Sequence, residues 1–349
     1  MAPFVKLADP ASYVACPWDM RVDHAAREYW VPFFKNHVNT ILELGIKALV
    51  ARGMSGGEAD ARADACRREF YDHFDAFATN PGGGGRVTIL TLDEWRDQFL
   101  RRHGFVDPFV DLKQRENQAA LPLLPRVVAE LDSHRDELDQ IGAVVRGVFA
   151  GNIFDMGASA TAASMLNGNI DFFTTRDRLP PRPWLVDDFD ALAAALTGKT
   201  YRKSVFFIDN AGSDFLLGAV PMMRWLARRG TRVILAANER PTLNDMTVHD
   251  VQAWWPRILA AEPSLRGLPI QIVSTGTGEP LIDLSNVSEE LNRASIDADL
   301  VIIEGMGRAI ESNLDARFSC DALNIGMIKD QMIARAHRGK LYDVVLRFR

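Results

Sequence analysis

The chain has only three cysteines, Cys16, Cys66 and Cys320, among 349 residues, far apart and in no CxxC or Cys/His cluster. That usage excludes a disulfide framework and gives no sign of a zinc site. Long apolar runs are missing too: no uncharged stretch approaches the roughly 18 residues that a membrane span needs. The amino terminus, Met1-Ala2-Pro3-Phe4-Val5-Lys6, lacks a basic segment followed by an apolar one. A reducing, cytoplasmic setting is the expectation. Positive charge is also scarce, with 40 Lys and Arg against 46 Asp and Glu, a formal charge of -6 and a pI near 5.7. The arginine pairs Arg101-Arg102 and Arg228-Arg229 are scattered through helical patterns. Nucleic acid and anionic membrane are therefore poor candidates as partners. The seven histidines are dispersed, and no Gly-x-Ser-x-Gly elbow is present. Neither triad chemistry nor zinc hydrolysis is indicated.

What is present is an ordinary globular composition, 47% apolar and 25% charged with a mean hydropathy of -0.08. Residues 1–140 read as helices. Apolar positions from Trp30 through Ile46 recur near the 3.6-residue period, and a second helix is expected over Glu58 to Thr79. The run Gly82-Gly83-Gly84-Gly85 reads as a flexible loop rather than a phosphate cradle, because no strand precedes it and no Lys-Ser/Thr follows. Thr91-Leu92-Asp93-Glu94 reads as a capping box, and Pro122 and Pro125 interrupt the helical stretch from Asp107 to His134.

Beyond residue 140 short β-branched runs alternate with helical patterns. Strands are expected over Val205–Ile208, Val233–Ala236, Ile270–Val273, Leu300–Ile303, Leu323–Ile328 and Val344–Phe348. Several are apolar on both faces, as buried parallel strands are. A helix is expected over Phe215 to Arg229, kinked at Pro221. This alternation predicts an α/β fold with a doubly wound, mostly parallel sheet over 141–349, preceded by the helical region 1–140. Ligands then belong at the carboxyl ends of the strands.

Polar residues gather at those ends. Asp209-Asn210-Ala211-Gly212-Ser213-Asp214 follows one strand, and Asn238 through Asn244-Asp245 follows the next. Carboxylate and amide oxygens without cysteine or clustered histidine suit a hard divalent cation. Each stretch alone also fits a plainer role, with Asp209 and Asn210 as turn residues, Ser213 or Asp214 as a helix cap, and Asn244 or Asp245 as the cap of the helix toward Trp254. Gly151-Asn152-Ile153-Phe154-Asp155 offers one more amide and carboxylate. Glu304-Gly305-Met306-Gly307-Arg308 ends a strand with a carboxylate, a Gly-x-Gly turn and an arginine able to fork onto a phosphate. Lys329 is delivered to the same edge, although such a lysine is most often a solvated one. Thr275-Gly276-Thr277-Gly278 lacks the continuation of a dinucleotide fingerprint, which argues against NAD.

Together these four stretches resemble the metal-dependent damage-control phosphatases, and the Glu-Gly-Met-Gly-Arg string is similar to the mark of their second subfamily. The resemblance runs from about Trp18 to the last strand. It implies an N-terminal helical region on a Rossmann-like three-layer α/β/α domain with a mostly parallel sheet, and hydrolysis of small phosphate monoesters, with 4'-phosphopantetheine and its oxidised or sulfonated derivatives as the expected class. It also implies a Mg²⁺, Mn²⁺, Co²⁺ or Ni²⁺ ion on Asp209, Asn210 and Asp245. Lys329, Arg308 and backbone N–H groups around Gly212 and Gly305 are then expected to meet the phosphoryl group. Asp155 or Glu304 is expected to orient or deprotonate the attacking water, with Asn152, Ser213, Asn244 and Gly307 lining the site. Rival readings are an S-adenosylmethionine-dependent carboxyl methyltransferase and a non-catalytic module for phosphorylated metabolites. Nothing in the sequence sets the oligomeric state.

Overall fold

The computed structural model describes residues 1–153 and 172–349. It divides into two compact units, one of Cys16–Leu112 with Pro241–Leu243, the other of Met1–Ala15, Lys113–Arg240 and Asn244–Arg349. The division falls at Leu112/Lys113, whereas the texture of the sequence changes near residue 140. Among the described residues no helix is long and apolar enough to cross a membrane.

The first unit is built on α1 (His24–Ala51), α2 (Gly56–Thr79) and α3 (Ile89–Arg102). Ser55 starts α2 by accepting the Glu58 N–H at 3.3 Å. Thr88, not Thr91, precedes α3: the Thr88 N–H donates to Thr91 Oγ1 at 3.1 Å, so the reciprocal cap lies three residues earlier than the sequence string suggested. Aromatic rings fill the interior, with Phe70 stacked on Phe74 at 4.2 Å between centroids. The glycine run is a loop, and the Arg21 guanidinium ties down the carbonyls of Pro81, Gly83 and Gly85.

The second unit holds most of α4 (Val110–Ala120), then α5 (Leu124–Ser133) and α6 (Glu137–Asn152), with Pro122 in a 3₁₀ turn over Leu121–Leu123 and Pro125 in the first turn of α5. Its sheet comprises β1 (Val186–Asp187), β2 (Lys203–Phe207), β3 (Arg232–Ala237), β4 (Ile270–Ser274), β5 (Leu300–Glu304), β6 (Asp321–Met327) and β7 (Val344–Phe348). The order is β1-β7-β6-β5-β2-β3-β4, and β2 through β6 form a parallel block. Only β7 meets β6 antiparallel, in the register Ile325↔Leu346. All six expected strands are present. From β2 the chain steps outward through β3 and β4, then returns to lay β5 on the other side of β2. The reversal leaves a crevice beyond the carboxyl ends of β2 and β5, the place where such sheets take ligands. Every residue of β2 and β5 is buried, which fixes these two strands as the rigid centre of the unit.

The expected helix over Phe215 to Arg229 is two elements. A π-helical segment, Asp214–Ala219, leads into an α-helix, Val220–Arg228. Pro221 sits in the first turn of the latter, where a missing N–H costs least. The break therefore precedes the proline instead of being a kink at it.

Candidate metal centre

Two loops meet at the switch point because their backbones pair. Asn210 and Asp245 form an antiparallel bridge, the Ala211 N–H donates to the Asn244 carbonyl at 2.9 Å, and the Met246 N–H donates to the Asp209 carbonyl at 3.0 Å. The loop after β3 is thus zipped onto the loop after β2, and Asp209, Asn210 and Asp245 come together, all buried.

Arg308 lies beneath them, completely buried. Its Nε is 3.0 Å from Asp209 Oδ1, one terminal nitrogen bonds Asp245 Oδ2, and the other bonds the Ile208 carbonyl. The guanidinium is taken up by the two carboxylates and a strand-end carbonyl, which holds them at a fixed spacing. Asn238 donates its amide to Asp245 Oδ2 at 3.2 Å and to the Glu279 carbonyl at 3.0 Å.

Glu304 ends β5 and is also completely buried. Burial pushes its carboxyl well above the ordinary value of 4.5, and the adjacent Asp214 carboxyl adds to the rise. Asp209 is raised for the same reason, burial first and then the Asp245 charge, with Arg308 opposing. Four carboxylates, Asp209, Asp214, Asp245 and Glu304, thus stand in one buried cluster with two cations, Arg308 and Lys329. An uncompensated excess of buried negative charge is strongly unfavourable, and one divalent cation would neutralise it. The donors are all oxygen, as Mg²⁺ or Mn²⁺ prefer. Among the described residues no group of three or more His, Cys, Asp and Glu side chains is placed to hold a metal, so the two carboxylates need the Asn210 amide oxygen as third protein donor. That oxygen is available. The Asn210 Nδ2 donates to Asp209 Oδ2 at 2.9 Å and Asp214 Oδ2 at 3.0 Å, which turns Oδ1 the other way.

Lys329 is not a solvated lysine. It is completely buried, and Nζ donates to the Asn152 carbonyl at 2.7 Å. Asn152 ends α6, accepts the Met327 N–H on Oδ1 at 3.2 Å and directs Nδ2 at Asp214, 3.1 Å away, and Asp209, 3.4 Å away. Gly305 has φ 101°, and a Cβ there would lie 2.1 Å from Asp209 Oδ2, so only glycine lets the turn approach the carboxylate. Gly307 runs against the Pro280 carbonyl in the same turn.

Of the backbone N–H groups expected around Gly212 and Gly305, those of the two glycines themselves are engaged elsewhere. The Gly212 N–H donates to Asn117 Oδ1 at 2.7 Å and the Gly305 N–H to the Ile325 carbonyl at 3.0 Å. The plainer capping roles also fail. Thr247, with Asp250, caps the helix toward Trp254, so Asn244 and Asp245 do not. Ser213 precedes the π-helical segment without a side-chain capping bond. Asn244 is buried with neither amide atom hydrogen-bonded among the described residues. Asp155 lies outside the described residues. Sequence reading missed Asn117, which sits on α4 and carries no local sign of holding a loop 95 residues away. It also gave Asp214 only a capping role.

The Thr275–Gly278 turn is tied to the loop after β3, since the Glu239 N–H donates to the Thr277 carbonyl at 2.7 Å.

Residues 66–345 match the family model described as a damage-control phosphatase ARMT1-like domain. A damage-control phosphatase of Arabidopsis thaliana is 37% identical over 100% of this chain and 97% of its own length. A pantothenate kinase 2 of Arabidopsis thaliana is 36% identical, and a 4'-phosphopantetheine phosphatase of Mus musculus 31% identical, over 99% and 98% of this chain. The chain spans only 41% and 48% of the length of those two relatives. In fold it is similar to a DUF89 family protein of Pyrococcus horikoshii, with a TM-score of 0.63 at 17% identity over 90% of this chain and 95% of the other. By the domain model and the full-length plant relative, this chain belongs to the ARMT1-like damage-control phosphatases.

Proposed function

We propose that the chain hydrolyses 4'-phosphopantetheine, or its oxidised or sulfonated derivatives, as a cytoplasmic phosphomonoesterase that uses a divalent cation held by Asp209, Asn210 and Asp245. The observation that carries this reading is the buried, oxygen-only cluster with more carboxylates than cations at the switch point of the sheet. The substrate class follows the 4'-phosphopantetheine phosphatase named above, which is similar along almost the whole of this chain. Mg²⁺, Mn²⁺, Co²⁺ and Ni²⁺ all suit the donor set, and when bound the cation supplies Lewis-acid stabilisation of phosphoryl charge.

The chain's own residues do the rest. Arg308 keeps Asp209 and Asp245 apart at fixed spacing and offsets part of their charge. Lys329, buried beside Asn152, meets the phosphoryl oxygens as a preorganised cation. Glu304, whose proton affinity is raised by burial, takes a proton from the attacking water; Asp155 is the other carboxylate proposed for that step.

A phosphate-release screen over divalent metals, with 4'-phosphopantetheine beside a generic aryl phosphate and sugar phosphates, tests this. The expected result is turnover fastest on 4'-phosphopantetheine or an oxidised form, abolished by EDTA and lost in Asp209→Ala. Full turnover in EDTA, or in Asp209→Ala, overturns the assignment.

A further inference from the structure

We infer that Asp214 is a positioning residue of this site, setting the direction in which Asn210 presents its amide oxygen. The inference rests on the metal site proposed above. Asp214 is completely buried. Its Oδ2 accepts three hydrogen bonds, from Asn210 Nδ2 at 3.0 Å, the Asn210 N–H at 3.3 Å and Asn152 Nδ2 at 3.1 Å. An amide side chain can flip by 180° about its last torsion, exchanging donor and acceptor ends at almost no intrinsic cost. Whichever neighbours require the donor end therefore decide where the acceptor faces. For Asn210 those neighbours are Asp209 Oδ2 and Asp214 Oδ2. Asp209 alone would not fix the choice, because a cation bound to Asp209 draws electron density from the same carboxylate and weakens it as an acceptor. Asp214 supplies an acceptor outside the proposed ligand set.

The same oxygen joins the site to α6. The Asn152 Oδ1 accepts the Met327 N–H at 3.2 Å and lies 3.5 Å from the Lys329 ammonium, which also donates to the Asn152 carbonyl, so Asp214 reads its position from β6 and α6 together. Asp214 also opens the π-helical segment Asp214–Ala219, whose backbone packs on Gly151 and on Val148 of α6. Its carboxylate is thus fixed from both sides. A residue serving only as a helix cap would direct its oxygens at the N–H groups of its own helix; Asp214 directs one of them backward, at Asn210 and Asn152.

The test is Mn²⁺ titration of the full chain, followed by the electron paramagnetic resonance of free Mn²⁺, with metal-free melting as a fold check. Six proteins are compared: the parent, Asp209→Ala, Asp214→Asn, Asp214→Ala, Asn210→Ala and the double variant Asn210→Ala with Asp214→Ala. Asparagine keeps one acceptor oxygen and the same shape, so Asp214→Asn is expected to bind Mn²⁺ within about threefold of the parent. Asp214→Ala removes the acceptor and is expected to weaken binding at least tenfold. In an Asn210→Ala background the same Asp214→Ala change should alter the Kd by less than twofold, since the group it acts through is gone. Parent-like binding by Asp214→Ala, or a tenfold loss in Asp214→Asn, overturns the inference. Should Asp214→Ala not fold, a tenfold loss in Asp214→Asn still overturns the inference. Absence of Mn²⁺ binding by the parent, or binding undiminished in Asp209→Ala, instead overturns the metal site itself.

Discussion

Arg308 shows how one side chain can hold two acidic loops together. It bridges Asp209 and Asp245 from below, completely buried, and the pair it forms cannot lose one member cheaply. Replacing it by methionine leaves two buried carboxylates without their cation, a change worth about 3–5 kcal/mol when a buried pair is broken. Arg308→Met is predicted to melt far below the parent in EDTA and to regain part of the loss in saturating Mn²⁺, because a bound cation offsets the same charge. An unchanged melting temperature in EDTA would contradict this role. Glu304 gives a pH prediction. With its carboxyl raised above 4.5 in the metal-free fold, the folded chain keeps a proton that the unfolded chain has released. The stability this group contributes is fully present at pH values below the ordinary carboxyl range and is lost as pH rises through the elevated value. Glu304→Gln is predicted to flatten the decline in melting temperature with rising pH, measured in EDTA. His73 and His337, lowered by burial, titrate alike in both proteins and cancel from the comparison. Parallel pH profiles for parent and variant would sink the claim. At this scale the gathering of Asp209, Asn210, Asp245, Glu304, Arg308 and Lys329 was legible, because each follows or ends a strand pattern. The role of Asp214 was not, since an aspartate at the start of a helix has the same letter whether it caps or clamps.

At the scale of elements, the strands were readable because burial on both faces leaves uninterrupted apolar runs. Only β1, with two residues, is too short to show a pattern. The π-helical segments were not readable. One follows the loop after β2, Asp214–Ala219, and another follows β5, Met306–Glu311. The extra residue per turn in such segments is compatible with an ordinary helical period over so few residues, and they recur at functional sites. Here each one immediately follows a site loop; the first leads into the helix Val220–Arg228, and the second leads through a turn into β6. The first depends on close backbone contact with α6. A Cβ at Gly151 would lie 2.8 Å from the Ser213 carbonyl oxygen and 2.9 Å from Asp214 Cα. Gly151→Ala is therefore predicted to destabilise by about 1–3 kcal/mol through overpacking and to lower kcat, as Asn152 and Asp214 separate. Gly198→Ala, at a position with open space around it, is the matched control and should leave both unchanged. Equal melting temperatures for the two variants would contradict the packing argument.

For the whole molecule, the alternation of strand and helix patterns after residue 140 was enough to give the layer architecture and to place the site at strand ends. It could not give the strand order, because pairing partners far apart in sequence leave no local trace. That order matters to function: the return of the chain from β4 to β5 puts Glu304 and Arg308 beside Asp209. The scarcity of positive charge also gains a location. The net charge of -6 is not spread evenly over solvated faces, since among the described residues four carboxylates converge at this crevice with two buried cations, Arg308 and Lys329, opposing them. Phosphatase activity in this chain depends on whether that crevice takes a cation. The most direct measurement is the anomalous difference map of a crystal soaked in Mn²⁺, recorded on the parent chain. The predicted result is a peak coordinated directly by Asp209, Asn210 and Asp245. A map with no peak at the carboxyl ends of β2 and β3, or with Mn²⁺ bound elsewhere and these three side chains unliganded, would contradict it.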